Sequence, residues 1–189
     1  MRKIKGIIIH CTATRPEWWE GKRTSEKVAE IRRWHVTPKP GGRGWSDIGY
    51  HFLIDRDGTV AKGRDLSRTG AHVAGHNTGT IGVSLFGGHG SAETDQFAEH
   101  FTQAQDKALR SLLHDLQRQF GENISITGHN QYAAKACPGF NVPEYMKQTR
   151  PQFAPHVDTP AKKSPAKKSQ PKMNWLAMLL ALFKGKGKK

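Results

Sequence analysis

Three side chains of this sequence, His10, His129 and Cys137, can together complete a zinc site with one coordination position left open. Two imidazoles and a thiolate suit zinc, and three protein ligands leave the fourth place to water or substrate. A structural site would be closed by a fourth side chain, and no nearby Cys or His offers one. The spacing is weak evidence, because the eight-residue step from His129 to Cys137 matches no short ligand motif. By themselves, His10 is typical of a buried core histidine and Cys137 of a small apolar residue.

The strands that must position these residues follow from β-branched and apolar runs. A buried strand is predicted at residues 4–10, and further strands are predicted at residues 49–54, 59–60, 81–86 and 123–127. The first of them carries His10, and the last ends just before His129. Asp57-Gly58 is a hairpin signal between the second and third strands.

Two helices are predicted between these strands. One runs from Ser25 to His35, and the other follows the capping box formed by Thr102 and Gln105. The second has one apolar face, made of residues 109, 112, 113, 116 and 120, which we assign to core packing. Mixed in this order, the elements predict an α/β fold with a single mixed β-sheet domain flanked by helices.

The net charge of +14 is concentrated at the C-terminal end. Residues 150–189 hold ten Lys/Arg and one acid, whereas residues 1–149 hold twenty and fifteen. The Lys/Pro-rich low-complexity composition of residues 150–172 predicts a disordered linker. Residues 173–189 form a short apolar, Lys-flanked segment, whose apolar run would give a helix about 14 Å long, half of a hydrocarbon core. Such a tail is often only solubilising, but this one favours contact with an anionic membrane or outer-envelope surface.

Residues 1–149 are long enough for one self-sufficient domain. The two cysteines, Cys11 and Cys137, are too few for a disulfide scaffold. Strand alternation points Cys11 away from the face that His10 occupies.

The basic N-terminus is followed by only a short apolar run, so we predict no secretory signal. The protein is expected to be made in the cytoplasm and to need help to leave it.

Five sequence motifs together resemble one protein family. They are IHCTAT (residues 9–14), IGYHFLIDRDGT (48–59), GAHVAGHN (70–77), IGVSLFGG (81–88) and KACPG (135–139). In this order they resemble the phage zinc-dependent N-acetylmuramoyl-L-alanine amidases, or endolysins, whose fold is shared with the peptidoglycan recognition proteins. The resemblance covers about residues 5–147 and does not extend to the tail.

The resemblance implies hydrolysis of the amide between N-acetylmuramic acid and L-alanine in bacterial peptidoglycan. It implies that His10, His129 and Cys137 are the zinc ligands, and that Tyr50 and Lys135 are catalytic. Zinc would lower the pKa of bound water and polarise the scissile carbonyl, and the two catalytic side chains would stabilise the oxyanion. No acid in the motifs is an evident base, so Tyr50 is also the candidate that accepts the proton of water.

Several of these residues have plainer interpretations. In a strand, Tyr50 would share a face with Phe52 and Ile54 and could be a packed aromatic. Lys135 on a loop would ordinarily be a solvated charge. His72, His76 and Asn77 lie in a Gly-rich stretch that is predicted to line a substrate groove.

Two other functional classes compete with an enzyme. A peptidoglycan-binding module would keep the groove without needing Cys137, a cysteine that recognition-only relatives characteristically lack. A nucleic-acid-binding protein would carry its basic residues on a folded face, whereas here most of the net charge lies in the tail. We therefore predict a monomeric lytic amidase with a Zn²⁺ cofactor that reaches the cell wall after release from the host cytoplasm.

Overall fold

A computed structural model describes residues 2–149. The predicted linker at 150–172 and the apolar segment at 173–189 lie outside the described residues. Within 2–149, none of the helices combines the length and the apolar character needed to cross a membrane.

The centre of the fold is a five-stranded mixed sheet. Its strands are β1 (Gly6–Cys11), β2 (Phe52–Ile54), β3 (Val60–Lys62), β4 (Thr80–Leu85) and β5 (Ser125–Gly128), in the spatial order β3-β2-β4-β1-β5. β1 runs parallel to both β4 and β5, and β2 runs parallel to β4. β2 and β3 pair antiparallel, through the hairpin that Asp57-Gly58 predicted. Gly58 has a φ of 88°, a left-handed conformation that glycine adopts without strain.

Within residues 2–149, four helices accompany the sheet: α1 (Thr24–Val36), α2 (Phe97–His100), α3 (Gln103–Phe120) and α4 (Val142–Lys147). The predicted capping box of α3 is present, since Thr102 Oγ1 accepts the Gln105 N–H at 3.1 Å. The two short helices α2 and α4 were not predicted, because one or two turns carry too little periodicity to be recognised in a sequence.

The two faces of the sheet pack against different helices. Ile7 and Ile9 of β1 lie in the larger core together with Leu109 and Leu113 of α3. On the other face, a smaller cluster joins Ile31 of α1 to Leu53 and Phe86, with Trp18, Val28, Trp34 and Tyr50 packed against it. All six residues of β1 are buried, as expected for a parallel strand covered on both faces. A mixed sheet between helices confirms the predicted fold class.

Tyr50 does not lie on the face that strand alternation predicts for it. Phe52 and Ile54 pack in the α3-side core, but Tyr50 packs in the α1-side cluster with Leu53. The reason is that regular β2 pairing begins only at Phe52, so the two-residue period cannot be extended back to Tyr50.

Candidate active site

His10, His129 and Cys137 come together although they lie far apart in the sequence. His10 is the fifth residue of β1, near the C-terminal end of the strand, and is 0% exposed. Pairing of Ile9 with Gly128 brings the end of β5 beside β1, and His129 follows as the first residue of a short 3-10 helix. Cys137 lies in the loop before α4. The three potential ligand atoms are all within 4.8 Å of one another.

The geometry of these donors fits a tetrahedral zinc ion. With Zn–N near 2.0 Å and Zn–S near 2.3 Å, tetrahedral N and S ligands are about 3.5 Å apart. His10 Nδ1 and Cys137 Sγ are 3.8 Å apart, and the His10 and His129 ring centroids are 4.7 Å apart. Among residues 2–149 the cluster has three such donors and no fourth. This leaves one coordination position for a non-protein ligand, as at catalytic rather than structural zinc sites.

The electrostatic environment keeps both imidazoles neutral, which is the form that binds metals. Burial lowers the pKa of His10 well below its ordinary value, and the neighbouring His72, His129 and Lys135 lower it further. The pKa of His129 is lowered by burial and by the charge of Lys135. Lys135 itself is exposed, on the loop that leads to Cys137. Lys135, the predicted catalytic cation, therefore lies close enough to lower the pKa of both histidines.

His72 holds the ring of His10 from the side opposite Cys137. His72 Nδ1 lies 3.1 Å from His10 Nε2, so His10 presents its Nδ1 to the ligand cluster. Burial, followed by nearby positive groups, lowers the pKa of His72 to about 3, so its ring stays neutral and can accept the hydrogen bond. No pattern in the sequence indicated this pair. A partner that orients a ligating histidine commonly tunes the metal site.

The other predicted groove residues take different positions in the same loop. Asn77 Oδ1 accepts the backbone N–H groups of His72 and Val73 at 2.8 and 2.9 Å, which holds this loop against the site. His76 is exposed, and its ring lies 4.5 Å from that of Tyr132. His72 itself is only 7% exposed. Substrate contact by His72, His76 and Asn77 stays a prediction.

Cys137 receives a hydrogen bond from the strand that carries His10. The Cys11 backbone N–H donates to Cys137 Sγ at 3.3 Å. The side chain of Cys11 is buried in the α3-side core, but its thiol also contacts the Cys137 thiol, so it does not point fully away from the ligand cluster as alternation predicted. Contact with the Cys11 thiol and burial both raise the pKa of the Cys137 thiol. Ionisation of Cys137 near neutral pH would thus depend on a bound cation.

Tyr50 faces the ligand cluster. Its ring centroid lies 5.2 Å from that of His10, and the ring of His35 packs against it at 5.4 Å. Burial raises the pKa of the Tyr50 phenol above its ordinary value, with further increases from negative charge on Cys137 and Cys11. A phenol that holds its proton so firmly donates a hydrogen bond and is a poor base. The raised pKa therefore argues against Tyr50 as the acceptor of the proton of water, and its role as a catalytic donor stays a prediction.

A comparison with models of known protein families decides the family of this chain. The family model described as N-acetylmuramoyl-L-alanine amidase matches residues 1–140. The chain belongs to this family. This amidase therefore has the enzyme class, and the fold, that its five motifs predicted.

Known relatives of this amidase include viral and animal proteins. It is 41% identical over 142 residues to the endolysin of Escherichia phage T7, which covers 75% of this chain and 85% of that protein. It is 37% identical over 143 residues to peptidoglycan-recognition protein SC2 of Drosophila melanogaster, covering 71% and 68%. Among solved structures, the amidase LysC from Clostridium intestinale matches with a TM-score of 0.57 and 27% identity, covering 77% of this chain and 85% of LysC.

Proposed function

We propose that this amidase is a zinc-dependent phage endolysin that cleaves the bond between N-acetylmuramic acid and the L-alanine of the stem peptide. The observation that carries the proposal is the open-sided cluster of His10, His129 and Cys137, whose donor atoms lie within 4.8 Å of one another in an amidase fold. Similarity to phage endolysins supports the biological role.

His10, His129 and Cys137 would hold the zinc ion. When bound, zinc supplies a Lewis acid and an acidified water molecule. The chain prepares the site through the hydrogen bond from His10 to His72, which fixes the His10 ring. The Cys11 N–H stabilises negative charge on Cys137 Sγ, because a charged acceptor strengthens such a bond.

Tyr50 and Lys135 would act on the substrate rather than on the metal. The protonated phenol of Tyr50 can donate a hydrogen bond to the oxygen of the scissile carbonyl as negative charge develops there. Lys135 adds a positive charge on the same side, as its effect on His10 and His129 indicates. A donor aimed at a developing oxyanion contributes about 3 kcal/mol to lowering the barrier.

Digestion of purified peptidoglycan, followed by mass analysis of the new chain ends, tests this function. The amidase should release free stem peptides and leave intact glycan strands. New reducing sugars instead of free peptides would overturn the proposal.

Zinc dependence needs its own measurement. The purified protein should contain about one zinc per chain, and chelation should abolish digestion until zinc is returned. Cys137→Ser should lose both metal and digestion but still sediment with peptidoglycan. Undiminished digestion by this variant would show that Cys137 is not a ligand of a catalytic metal.

The division of the chain is also a proposal. We assign catalysis to residues 1–149, a linker to residues 150–172, and attachment to an anionic envelope surface to residues 173–189. The support is compositional, since ten of the thirty Lys/Arg lie in residues 150–189 with a single acid. Peptidoglycan would be the substrate, and the enzyme would meet it after release from the cytoplasm.

A further inference from the structure

A stack of three aromatic rings runs from the core to the surface next to the site. Phe86 is buried at the end of β4, and the ring of Trp18 lies on it at 5.8 Å with an interplanar angle of 17°. Trp19 lies on Trp18 at 5.2 Å and 15°. Trp34 of α1 packs against Trp18 at 5.4 Å. The plane of Trp19 is therefore set by rings anchored in the core.

Trp19 presents this ring to solvent. It is 38% exposed, one of three large apolar side chains exposed in the part of the chain that the structure describes. Its φ is 54°, in the left-handed region that a bulky residue adopts only at a cost in free energy. Ala13, the other non-glycine residue with positive φ among residues 2–149, belongs to the same loop. Core packing does not account for a strained residue whose side chain stays exposed.

A cavity lies against the loop that carries Trp19. It has a volume of about 600 Å³, within the range of small-molecule sites, and its lining includes Glu17 and Glu20, which flank the two tryptophans in the sequence, but neither tryptophan ring. Acidic side chains such as Glu17 and Glu20, and basic ones such as Lys22 and Arg23, contribute in equal number. Balanced charge favours an uncharged polar ligand over a polyanion such as nucleic acid. His10, His129 and Cys137 do not line this cavity.

The cavity is connected to the active site through the chain and through packing. The loop at 12–23 begins directly after β1, which carries His10. Trp18, Trp34 and Tyr50 pack against one and the same cluster on the α1 side of the sheet. Trp18, on which Trp19 stacks, therefore lies on the same side of the sheet as Tyr50.

We propose that Trp19 and the adjacent cavity bind the sugar strand of peptidoglycan as a glycan subsite for N-acetylhexosamine units. The apolar C–H face of a pyranose ring stacks on a flat indole, while carboxylates and guanidinium groups bind its hydroxyl and acetamide groups. The inference rests on the proposed function, because that function supplies a substrate with a sugar strand next to the scissile amide.

A peptide-free probe tests the subsite directly. The β-1,4-linked tetramer of N-acetylglucosamine is titrated calorimetrically into the full chain and into Trp19→Ala, Trp19→Phe and Met146→Ala. Trp19→Ala should weaken binding roughly threefold to tenfold, and Trp19→Phe should weaken it less because a ring remains. Met146 is a matched control, since it is 37% exposed but lies in α4. Equal binding by the four proteins would overturn the proposal.

A kinetic comparison gives a second measurement. The ratio of kcat/KM on polymeric peptidoglycan to kcat/KM on a soluble muramoyl-peptide fragment should fall roughly threefold to tenfold in Trp19→Ala. An unchanged ratio would count against the subsite. If the wild-type protein releases no stem peptides at all, the proposed function fails, whereas the titration with the peptide-free tetramer still decides whether Trp19 binds sugar.

Discussion

The hydrogen bond between His72 and His10 should control how tightly this amidase binds zinc. His10 uses Nδ1 toward Cys137 and Nε2 toward His72, so the two ring nitrogens have separate tasks. When Nδ1 binds a cation, the Nε2–H becomes a stronger donor, and the neutral Nδ1 of His72 is placed to accept it. His72→Ala removes this acceptor from a ring that is fully buried.

The size of the effect follows from this geometry. The bond spans 3.1 Å, and water cannot easily replace His72 as the acceptor because both rings are buried. Loss of such a partner typically lowers metal affinity tenfold to a hundredfold, which is about 1.4–2.7 kcal/mol. His72→Asn should recover part of this loss, since the amide oxygen of Asn can occupy a place close to that of the imidazole Nδ1.

Competition for zinc against a chromophoric chelator measures the affinity of each variant. His76→Ala is the matched control, because His76 lies in the same loop but is exposed and contacts Tyr132 instead of the ligands. Circular dichroism of the metal-free variants separates a local effect from unfolding. A His72→Ala protein that is folded and binds zinc as tightly as wild type would refute the reasoning.

Three further outcomes are expected. Tyr50→Phe should keep its zinc, but its kcat should fall roughly a hundredfold to a thousandfold. The control Tyr145→Phe, in the α3-side core, should keep its kcat. A fully active Tyr50→Phe enzyme would show that Tyr50 has no part in catalysis. Burial lowers the pKa of His51 from 6.5 to about 4, so the stability due to neutral His51 is full above pH 6.5 and declines as the pH falls toward 4. Urea unfolding of the metal-free proteins measures the free energy of unfolding at about pH 7.5 and about pH 5. The decrease between these two pH values should be about 2 kcal/mol smaller in His51→Gln than in the wild type. Equal decreases in the two proteins would contradict this. Deletion of residues 173–189 should leave digestion of bare peptidoglycan nearly unchanged and weaken lysis of intact cells; equal loss on both would make that segment part of the catalytic domain.

The elements that position the ligands could be predicted because their signals are local. The β-branched run around Ile7 and the end of the last strand before His129 are visible in the sequence, and both strands form. The cap at Thr102 is likewise a pattern of neighbouring residues. The prediction that His10 and Cys137 come together depended on the resemblance to a family, because no rule of spacing relates residues 127 positions apart.

The contacts that tune the site depend on tertiary packing, and the sequence could not supply them. His72 reaches His10 because its loop is held by Asn77, a bond across five residues that no periodicity describes. Tyr50 lies on the face opposite to the expected one, because it precedes the regular part of β2. A helix position alone likewise did not reveal that His35 contacts Tyr50.

The six buried residues of β1 have a consequence for how this enzyme can change over time. Side chains of β1 alternate between the apolar interior and the chemical face, and both neighbours of this strand are parallel. Inserting a single residue ahead of His10 would turn its imidazole into the apolar interior and place Ile9 on the face that His10 now occupies. Loops such as 12–23 tolerate changes of length and can acquire new binding properties, whereas the register of this one strand must be preserved for any activity to survive.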